Sequence, residues 1–307
     1  YGVPLSLFNI KRDDKIGVFE VGMDKKGEIS YLTKILKPNI GVITNISYAH
    51  IKNFKNLFGI ARAKSEIIDN IVNSGTIILN ADDKFYKYLK LKALSKKLKI
   101  ISFSKKNKSN LKFNKLKKIG RNYFANIKFN NKSLNFLLNK KLENNIENIL
   151  ATLAVISVFY NIEKLNTKFF NDFKIPQGRG DKILIKLKNK RFNLIDESYN
   201  SNPLSLEFAL NRFHKLNIDS KKKIILLGDM LELGKYSKKL HIKAAKIVNK
   251  TNINRVYVYG KKIVNTFNKI RPQKRGRILN SKKDVLNFFK NDISGGEYLM
   301  IKGSNSS

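Results

Sequence analysis

The chain has 307 residues, of which 42% are hydrophobic and 10% aromatic, and this is enough for two globular domains, each with its own core. There is no cysteine, so disulfides, thiolate metal sites and cysteine nucleophiles are excluded. The formal net charge is +39, but the lysines are spread through every segment beside abundant Asn and Ile, which indicates compositional bias and still favours an anionic substrate. No apolar run reaches the roughly 18–20 residues of a membrane span, and no signal peptide is visible.

The first part of the chain is predicted to be extended. Tyr1–Phe8 is expected to be an extended segment because Pro4 disfavours a helix. The apolar run Ile16–Phe19 predicts a strand that delivers Glu20 at its end, and Ile40–Ile46 predicts a second strand. In an open α/β sheet, ligands collect beyond the carboxyl ends of the strands, which makes Glu20 a candidate site residue.

The helix that follows carries an unusually placed lysine. This helix is predicted over about Phe54–Val72. Its 3.6-residue periodicity places these residues on one stripe: Leu57, Ala61, Lys64, Ile68 and Ile71. An unpaired buried charge is costly, so Lys64 is expected to be paired, modified or functional, unless its ammonium extends to the helix edge. Asn45 and His50 follow the second strand and are expected near the same edge of the sheet.

The rest of the first domain alternates strands and helices. Strands are predicted at Thr76–Asn80 and Lys99–Phe103, and helices at Lys84–Lys97 and Asn144–Val158. Alternating apolar and polar residues near 110–138 predict an antiparallel insertion beside the sheet. The stretch I-P-Q-G-R-G-D that begins at Ile175 predicts a linker. The predicted organisation is therefore a domain over residues 1–174, a linker over 175–182 and a domain over 183–307.

The second domain is predicted to be a doubly wound α/β fold with a mostly parallel sheet. Its predicted strands are Asn193–Asp196, Lys223–Leu227, Arg255–Tyr259 and Tyr298–Ile301. Its predicted helices lie near Pro203–Leu216, Ser237–Asn249, Ile263–Ile270 and Lys282–Phe289. Two motifs follow predicted strands, D-E-S-Y-N-S-N-P at Asp196–Pro203 and G-D-M-L-E-L-G at Gly228–Gly234. A dinucleotide site is disfavoured because no G-x-G-x-x-G follows the first strand.

The order of motifs resembles the Mur ligases, enzymes that join amino acids to the nucleotide-linked precursor of peptidoglycan. In the first domain the motifs are E-x-G at Glu20, G-E-I at Gly27, P-x-x-x-x-I-T-N-I at Pro38, A-H ending at His50 and A-K-x-E-I around Lys64. In the second domain, the two motifs above and the K-G-S at Lys302 resemble the branch that adds D-alanyl-D-alanine to UDP-N-acetylmuramoyl-tripeptide. The resemblance implies a central ATPase-type domain with a mostly parallel sheet, followed by a Rossmann-like domain.

The resemblance also implies ATP and magnesium as cofactors. By this resemblance, Glu20 would hold the magnesium that bridges the ATP phosphates, and His50 would contribute to a second magnesium site. Lys64 would be carbamylated and would supply the oxygen ligands that magnesium prefers. Arg179 would reach the γ-phosphate, because an arginine fork suits phosphate oxygens, and Lys64, His50 and Arg179 would be the catalytic residues. Without the family, Arg179 is simply an arginine in a solvated linker.

The remaining implied contacts are to the nucleotide and the dipeptide. Asn148 would face adenine and Glu197 ribose, with Glu197 standing where relatives often have Asp. Asn144 stands where the family's H-N-x-x-N helix usually begins with His, and an Asn at a helix start is by itself most often a cap. The residues that would shape the dipeptide or nucleotide pocket are Tyr199, Asn200, Asn202, Asp229 and Glu232.

The implied activity is ATP-dependent formation of an amide bond in peptidoglycan synthesis. The tripeptide carboxylate would attack the γ-phosphate to give an acyl phosphate, from which the amine of D-alanyl-D-alanine displaces phosphate. The expected protein is cytoplasmic and monomeric, and it has no nucleic-acid partner. The chain begins at Tyr1 rather than Met and contains no G-x-x-x-x-G-K-[ST], so it is expected to be a fragment that is open at both ends and inactive alone. The resemblance implies that the missing parts are the N-terminal domain, the phosphate loop and the C-terminal tail.

Three alternatives stay open at this stage. A diamino-acid-adding or folylpolyglutamate-type relative would share the metal motifs but not Y-N-S-N-P together with G-D-M-L-E-L-G. A catalytically incomplete remnant would account for the missing phosphate loop. A nucleic-acid-binding module would account for the net charge of +39, but it predicts clustered basic residues with exposed aromatic side chains.

Overall fold

The structure is a computed structural model that describes residues 2–120, 122–139, 142, 145–173, 176–187 and 189–304. Its internal contacts divide the chain into two compact units, Tyr1–Ser47 with Asn53–Phe173 and Tyr48–Lys52 with Lys174–Ser307. The boundary at residues 175–182 stays a prediction, since residues 174 and 175 lie outside the described ranges. Among the described residues, no helix has the length and apolar character needed to cross a membrane.

The first unit is built on one six-stranded sheet whose spatial order follows the chain. Its strands are β1 (Ile40–Ile43), β2 (Thr76–Asn80), β3 (Lys99–Ser104), β4 (Leu111–Ile119), β5 (Asn122–Phe129) and β6 (Lys132–Leu138). Strands β1 to β4 are parallel neighbours, whereas β4, β5 and β6 form an antiparallel meander. Every residue of β2 is buried, as expected of a β-branched strand covered on both faces.

Helices and one 3₁₀ turn surround this sheet. They are α1 (Gly2–Phe8), α2 (Glu28–Leu36), α3 (Leu57–Lys64), α4 (Glu66–Asp69), α5 (Tyr86–Ser95), α6 (Ile146–Ile156) and the 3₁₀ turn Ile162–Lys164. Helix α2 begins after Gly27, whose φ of 93° suits glycine and whose N–H donates to Glu66 Oε1 at 2.9 Å. Glu66 also accepts a hydrogen bond from Ser30 N at 3.1 Å, so the glutamate of A-K-x-E-I caps the helix of G-E-I.

Two predictions for the first twenty residues are wrong. Gly2–Phe8 is not extended but forms helix α1, and Pro4 lies in the first turn, where its missing N–H removes no helical hydrogen bond. Tyr1 lies outside the described residues. The run Ile16–Phe19 is not a strand. Its side chains Ile16 and Val18 are 60% and 90% exposed, and the described sheet has its edge at β1. An apolar run without a ladder partner stays irregular.

The single helix predicted over Phe54–Val72 is also wrong in extent. Asn56 caps the start of α3 by accepting a hydrogen bond from Gly59 N at 3.0 Å. The helix then breaks at Ser65, whose hydroxyl donates to Arg62 O at 2.7 Å in competition with the backbone ladder. On the predicted stripe, Ala61, Ile68 and Ile71 are buried, while Leu57 and Lys64 are half-buried.

The second unit contains another six-stranded sheet, in the order β11-β10-β9-β12-β8-β7. Its strands are β7 (Asp181–Leu187), β8 (Lys190–Asp196), β9 (Lys223–Gly228), β10 (Arg255–Tyr259), β11 (Arg275–Leu279) and β12 (Tyr298–Lys302). Its helices are α7 (Pro203–His214), α8 (Ser237–Lys250), α9 (Val264–Phe267) and α10 (Lys282–Asn287). Short 3₁₀ or π turns occupy Ile51–Asn53, Ser220–Lys222, Gly234–Tyr236, Pro272–Lys274 and Phe288–Asp292.

All pairings in this second sheet are parallel except that of the edge strand β7. An α/β fold with a mostly parallel sheet in each unit is therefore confirmed. The sequence did not predict β7 or β11. Strand β7 is largely exposed at the sheet edge and begins inside the predicted linker, and β11 contains two arginines and a glycine. Strand β11 has only two adjacent apolar residues, whereas β7 contains the apolar run Ile183–Ile185, which the sequence analysis did not assign to a strand.

Candidate functional site

The carboxyl ends of β1 and β2 are tied together by side chains from the turn after β2. Asn80 Nδ2 donates to Thr44 O at 3.0 Å, and Asp83 Oδ2 accepts from Ile46 N at 2.6 Å. The other oxygen of Asp83 accepts from Phe85 N at 2.8 Å. Because amide and carboxylate both bond to backbone, the loop after β1 has a defined conformation.

Lys64 reaches this loop from the last turn of α3. Its Nζ donates to Asn45 O at 2.9 Å, so the lysine ammonium lies beyond the carboxyl end of β1. Burial lowers the pKa of Lys64 from its ordinary value, while the charge of Asp83 acts in the opposite direction. The Lys64 amine is therefore more easily deprotonated than that of an exposed lysine.

The other two predicted metal ligands are placed differently. Glu20 is exposed and does not follow a strand. His50 belongs to the second unit, and its Nδ1 lies 2.6 Å from Glu232 Oε2, so the structure pairs a predicted metal ligand with a predicted pocket residue. Lys52, which the sequence did not single out, donates its backbone N–H to Glu232 O at 2.9 Å and has its Nζ 3.5 Å from Oε1. His50 and Glu232 both have a φ of 59°, in the left-handed region that residues other than glycine seldom adopt.

Asp229 is buried, and its carboxylate is engaged by backbone. Its Oδ1 accepts from Lys262 N at 2.9 Å and from Ile263 N at 2.7 Å. Gly260, with a φ of 127°, packs against this carboxylate, and a Cβ there would lie 2.6 Å from Oδ1. These contacts hold the loop after β10, so the structure gives Asp229 a scaffolding role, and its predicted contact with substrate stays a prediction.

The loop that contains Asp229 is also held by a histidine that the sequence analysis missed. His241 on α8 is fully buried, and its Nε2 accepts a hydrogen bond from Met230 N at 3.2 Å. Since Nε2 accepts, the neutral ring carries its proton on Nδ1 and donates it to Ser237 O at 2.8 Å. Burial lowers the pKa of His241. Ser304, of the K-G-S motif, accepts from Leu231 N at 3.1 Å and so joins this motif to G-D-M-L-E-L-G.

Glu197 and Arg212, which are half-buried, form an ionic network with the buried Lys302. The Glu197 carboxylate pairs with the Arg212 guanidinium and lies 3.8 Å from Lys302 Nζ. Lys302 is 2% exposed and donates to Asn200 O at 2.9 Å. Burial lowers the pKa of Lys302, and Glu197 acts against this shift. The K-G-S motif pointed to Lys302, but no local signal in the sequence identified Arg212 as a partner.

Asn202 caps α7 in a reciprocal capping box. Its Oδ1 accepts from Ser205 N at 2.9 Å, and its own N–H donates to Ser205 Oγ at 3.0 Å. Pro203 follows in the first turn, near the predicted start of this helix. Asn200 is exposed, and its Oδ1 accepts from Ser201 N at 2.6 Å. The cap engages the Asn202 side chain that was predicted to line a pocket.

Arg179 lies over the face of Tyr199, with its guanidinium carbon 4.1 Å from the ring centroid. Both side chains are exposed. Gly178 O accepts from Tyr199 N at 3.1 Å, and this bond fixes the approach. Gly180 has a φ of 97°, and a Cβ there would collide with the Arg212 guanidinium. The glycines of the predicted linker are therefore needed for two arginine contacts.

The predicted adenine contact, Asn148, is exposed in the first turn of α6. Its neighbour Glu147 pairs with Lys105, with Oε1 2.7 Å from Nζ. Asn144 lies outside the described residues.

Two known domain families match most of the chain. The Mur ligase middle domain matches residues 1–156, and the Mur ligase, glutamate ligase domain matches residues 184–305. The chain belongs to the Mur ligase family. Members of this family are ATP-dependent ligases that form amide bonds and use ATP with Mg²⁺.

Among individual Mur ligases, the chain is similar to enzymes named UDP-N-acetylmuramoyl-tripeptide–D-alanyl-D-alanine ligase. The Rickettsia prowazekii enzyme is 29% identical over 306 residues, which are 99% of this chain and 66% of that protein. The Buchnera aphidicola (subsp. Baizongia pistaciae) enzyme is 33% identical over 260 residues, or 85% of this chain and 55% of that protein. The Bacillus subtilis enzyme is 29% identical over 306 residues, which are 99% of this chain and 64% of that protein. The chain thus spans between 55% and 66% of the length of these relatives.

Solved Mur ligase structures share the fold. A crystal structure of MurF from Acinetobacter baumannii superposes with a TM-score of 0.84 at 24% identity, covering 99% of this chain and 65% of that one. MurF from Thermotoga maritima, solved in complex with ADP, gives a TM-score of 0.80 at 21% identity, covering 100% of this chain and 68% of that one. The likeness extends through both sheets of the Mur ligase chain described above.

Proposed function

We propose that the intact protein containing this chain adds D-alanyl-D-alanine to UDP-N-acetylmuramoyl-tripeptide at the expense of ATP. Similarity to ligases of that name over 99% of the chain supports the substrate class. The observation that carries the chemistry is the Lys64 amine, which is held on Asn45 O at 2.9 Å at the carboxyl end of β1. Ligands of open α/β sheets bind at this edge.

The available donor atoms fit a magnesium site. Magnesium prefers hard oxygen ligands, and Glu20 offers an exposed carboxylate. An ammonium cannot bind a cation, but the neutral Lys64 amine can add carbon dioxide, forming an N–C bond and releasing a proton, to give a carbamate with two oxygens. The lowered pKa of Lys64 favours the neutral amine that this step needs. In this proposal Glu20 would hold the magnesium that bridges the ATP phosphates, and carbamylated Lys64 would supply oxygen ligands. His50, whose ring Glu232 orients, would contribute to a second magnesium site.

Bound magnesium would neutralise phosphate charge while side chains of the chain position the reactants. Arg179, supported by the Tyr199 ring, steadies the γ-phosphate. Asn148 faces adenine, and Glu197, held by Arg212 and Lys302, faces ribose. The residues proposed to shape the dipeptide pocket are Tyr199, Asn200, Asn202, Asp229 and Glu232.

The proposed reaction has two steps. A carboxylate oxygen of the tripeptide attacks the γ-phosphorus, the bond to the β-phosphate oxygen breaks, and ADP leaves an acyl phosphate. The amine of the dipeptide then attacks the acyl carbon, phosphate leaves, and one proton is released as the amide forms. We place this reaction in the cytoplasm, where ATP is supplied, and expect a monomer to carry it out.

Substitutions of Lys64 in the intact protein test the proposal. Lys64→Ala and Lys64→Arg should each lower kcat by about 100-fold or more, because both remove the carbamate oxygens from the centre where charge develops. Formate or acetate should partly restore turnover to Lys64→Ala, whose cavity can admit a carboxylate, but not to Lys64→Arg. Steady-state kinetics with and without the added acid measure both effects.

Lys92 provides a matched control on the neighbouring helix α5. Its Nζ pairs with Asp69 Oδ2 at 2.7 Å and also donates to Ser65 O at 3.0 Å, so it is a half-buried lysine with a structural environment. Lys92→Arg should retain turnover. Wild-type activity for Lys64→Arg would contradict the carbamate, and turnover with a diamino acid in place of the dipeptide would favour another Mur ligase branch. Duplex DNA binding that survives physiological salt would instead favour a nucleic-acid-binding module.

A further inference from the structure

Two adjacent carboxylates follow β2 and hold two different loops. Asp83 accepts from Ile46 N at 2.6 Å and from Phe85 N at 2.8 Å, and so holds the loop after β1. Asp82, one residue earlier, makes none of these contacts among the described residues. Its carboxylate instead accepts hydrogen bonds from backbone N–H groups of the loop after β3.

The loop after β3 wraps its backbone around the Asp82 carboxylate. Lys105 N donates to Oδ2 at 2.6 Å, Asn107 N donates to Oδ1 at 3.1 Å, and Lys106 N lies 3.3 Å from both oxygens. Successive N–H groups that converge on one anion form a backbone nest. The Asn107 side chain closes the loop by donating to Ala81 O at 2.9 Å.

This second loop is connected to α6. Lys105 Nζ lies 2.7 Å from Glu147 Oε1, and Glu147 lies in the first turn of α6. Asn148 is the next residue of that turn. Asp82 is thus linked through one loop and one ion pair to the residue proposed to face adenine, whereas Asp83 is linked through Ile46 to the carbonyl of Asn45, which accepts from Lys64.

We propose that Asp83 and Asp82 are positioning residues for opposite ends of bound ATP, Asp83 acting on Lys64 at the phosphate end and Asp82 acting on Asn148 at the adenine end. This inference rests on the proposed function, because it assigns the two ends of one nucleotide. Each carboxylate accepts backbone hydrogen bonds through both of its oxygens. A pair of neighbouring residues in a single turn therefore sets two separate parts of the site.

The test uses Asp83→Asn and Asp82→Asn in the intact protein. Both substitutions keep the size of the side chain but place an NH₂ group where a carboxylate oxygen now accepts from an N–H, so one loop loses a hydrogen bond in each variant. Asp83→Asn should lower kcat about tenfold, raise the magnesium concentration needed for half-maximal turnover and leave KM for ATP within about twofold. Asp82→Asn should raise KM for ATP about tenfold, reduce the preference for ATP over GTP and leave kcat within about twofold.

Glu147→Gln gives a milder test of the adenine arm that does not disturb the turn. It weakens a partly exposed ion pair, so KM for ATP should rise by about two- to threefold with kcat unchanged. Equal effects of Asp82→Asn and Asp83→Asn on kcat and KM, or effects exchanged between the two variants, would overturn the proposal.

Amide hydrogen exchange on this 307-residue chain separates the proposal from the function on which it rests. Asp83→Asn should increase exchange at Ile46 and Phe85, and Asp82→Asn should increase it at residues 105–107, each without affecting the other set. Faster exchange at both sets in either variant would refute the assignment of one loop to each carboxylate. A parent protein without tripeptide-dependent turnover would refute the proposed function, and the exchange pattern would still decide the role of the two carboxylates.

Discussion

Lys223 in the second unit and Lys64 in the first are both removed from water, but their surroundings differ. Lys223 is fully buried, and its Nζ donates to His214 O and Leu216 O, each at 2.8 Å, and to Asn252 Oδ1 at 3.2 Å. His214 is the last residue of α7 and Leu216 lies two residues beyond it, close to a helix end where backbone carbonyls lack helical partners. Lys64 is half-buried and donates to one carbonyl in the part of the chain that the structure describes.

Burial lowers the pKa of both lysines, so burial does not separate a structural lysine from a functional one. The number of acceptors does. An ammonium has three N–H donors, and at Lys223 each has a neutral oxygen partner. Among the described residues, Lys64 donates one N–H to Asn45 O. Its other two N–H groups can interact with a ligand at the carboxyl ends of the strands. This comparison predicts that Lys223 acts on stability and Lys64 on turnover.

The largest expected effect concerns Lys223→Met. Three oxygens would each lose a hydrogen bond from a fully buried ammonium, and the free energy of unfolding should fall by about 3 kcal/mol. Lys64→Met should change it by less than about 1 kcal/mol, since only one carbonyl loses a partner beside a half-exposed edge. Urea unfolding of the 307-residue chain measures both, and similar losses for the two variants would remove the distinction.

The next largest effect is a pH dependence of stability caused by His241, a buried base whose two ring nitrogens both have hydrogen-bond partners. Its pKa is lowered from 6.5 in the folded state, so below pH 6.5 the unfolded chain binds more protons at this site than the folded chain does. The contribution of neutral His241 to the free energy of unfolding is complete above pH 6.5. It is lost as the pH falls toward the pKa of His241 in the folded state, with a slope of up to about 1.4 kcal/mol per pH unit.

His241→Gln should flatten this part of the pH profile, because glutamine keeps an acceptor for Met230 N but does not titrate. The measurement is urea unfolding between pH 5 and pH 8 for the wild type and the variant. An unchanged difference between the two proteins across that range would contradict a buried neutral histidine.

The smallest effect distinguishes a cap from a pocket residue at Asn202. Asn202→Ala should lower the free energy of unfolding by about 1 kcal/mol through loss of the α7 cap, whereas Asn202→Ser should retain it, since serine also caps helices. If the residue acts only as a cap, Asn202→Ser also keeps KM for D-alanyl-D-alanine. A raised KM together with full stability would favour the predicted contact with the dipeptide.

Apolar runs and helical periodicity in the sequence predicted strands and helices whose residues show these patterns clearly. Strand β2 occupies the predicted residues, and α8 extends one residue beyond its predicted end. Helix α7 begins at Pro203, where the predicted helix began. The Ile16–Phe19 strand prediction failed because it required a neighbour that periodicity does not supply, and Ser65 interrupted a periodic helix through a hydrogen bond made by its own hydroxyl.

The candidate site shows the same division. Motifs singled out Lys64, His50, Glu197 and Asp229, and the structure describes each of them in a defined environment. They did not indicate Arg212, Asp83 or His241, because each of these acts through partners that lie far from it in the chain. Membership of the Mur ligase family could be read from the order of the motifs, but the oxygen atoms that surround each cation could not.

The sequence by itself determined the alternation of strands and helices, the two mostly parallel sheets and the order of the family motifs, since these depend on side-chain type and on spacing along a few turns. Tertiary structure decided the environment of each charge. Lys64 meets its carbonyl 19 residues away, and Lys302 meets that of Asn200 at a separation of 102 residues. Burial and hydrogen bonding depend on what the fold brings together, so whether a lysine acts as a scaffold or as a reactive amine is set only when the sheet is assembled.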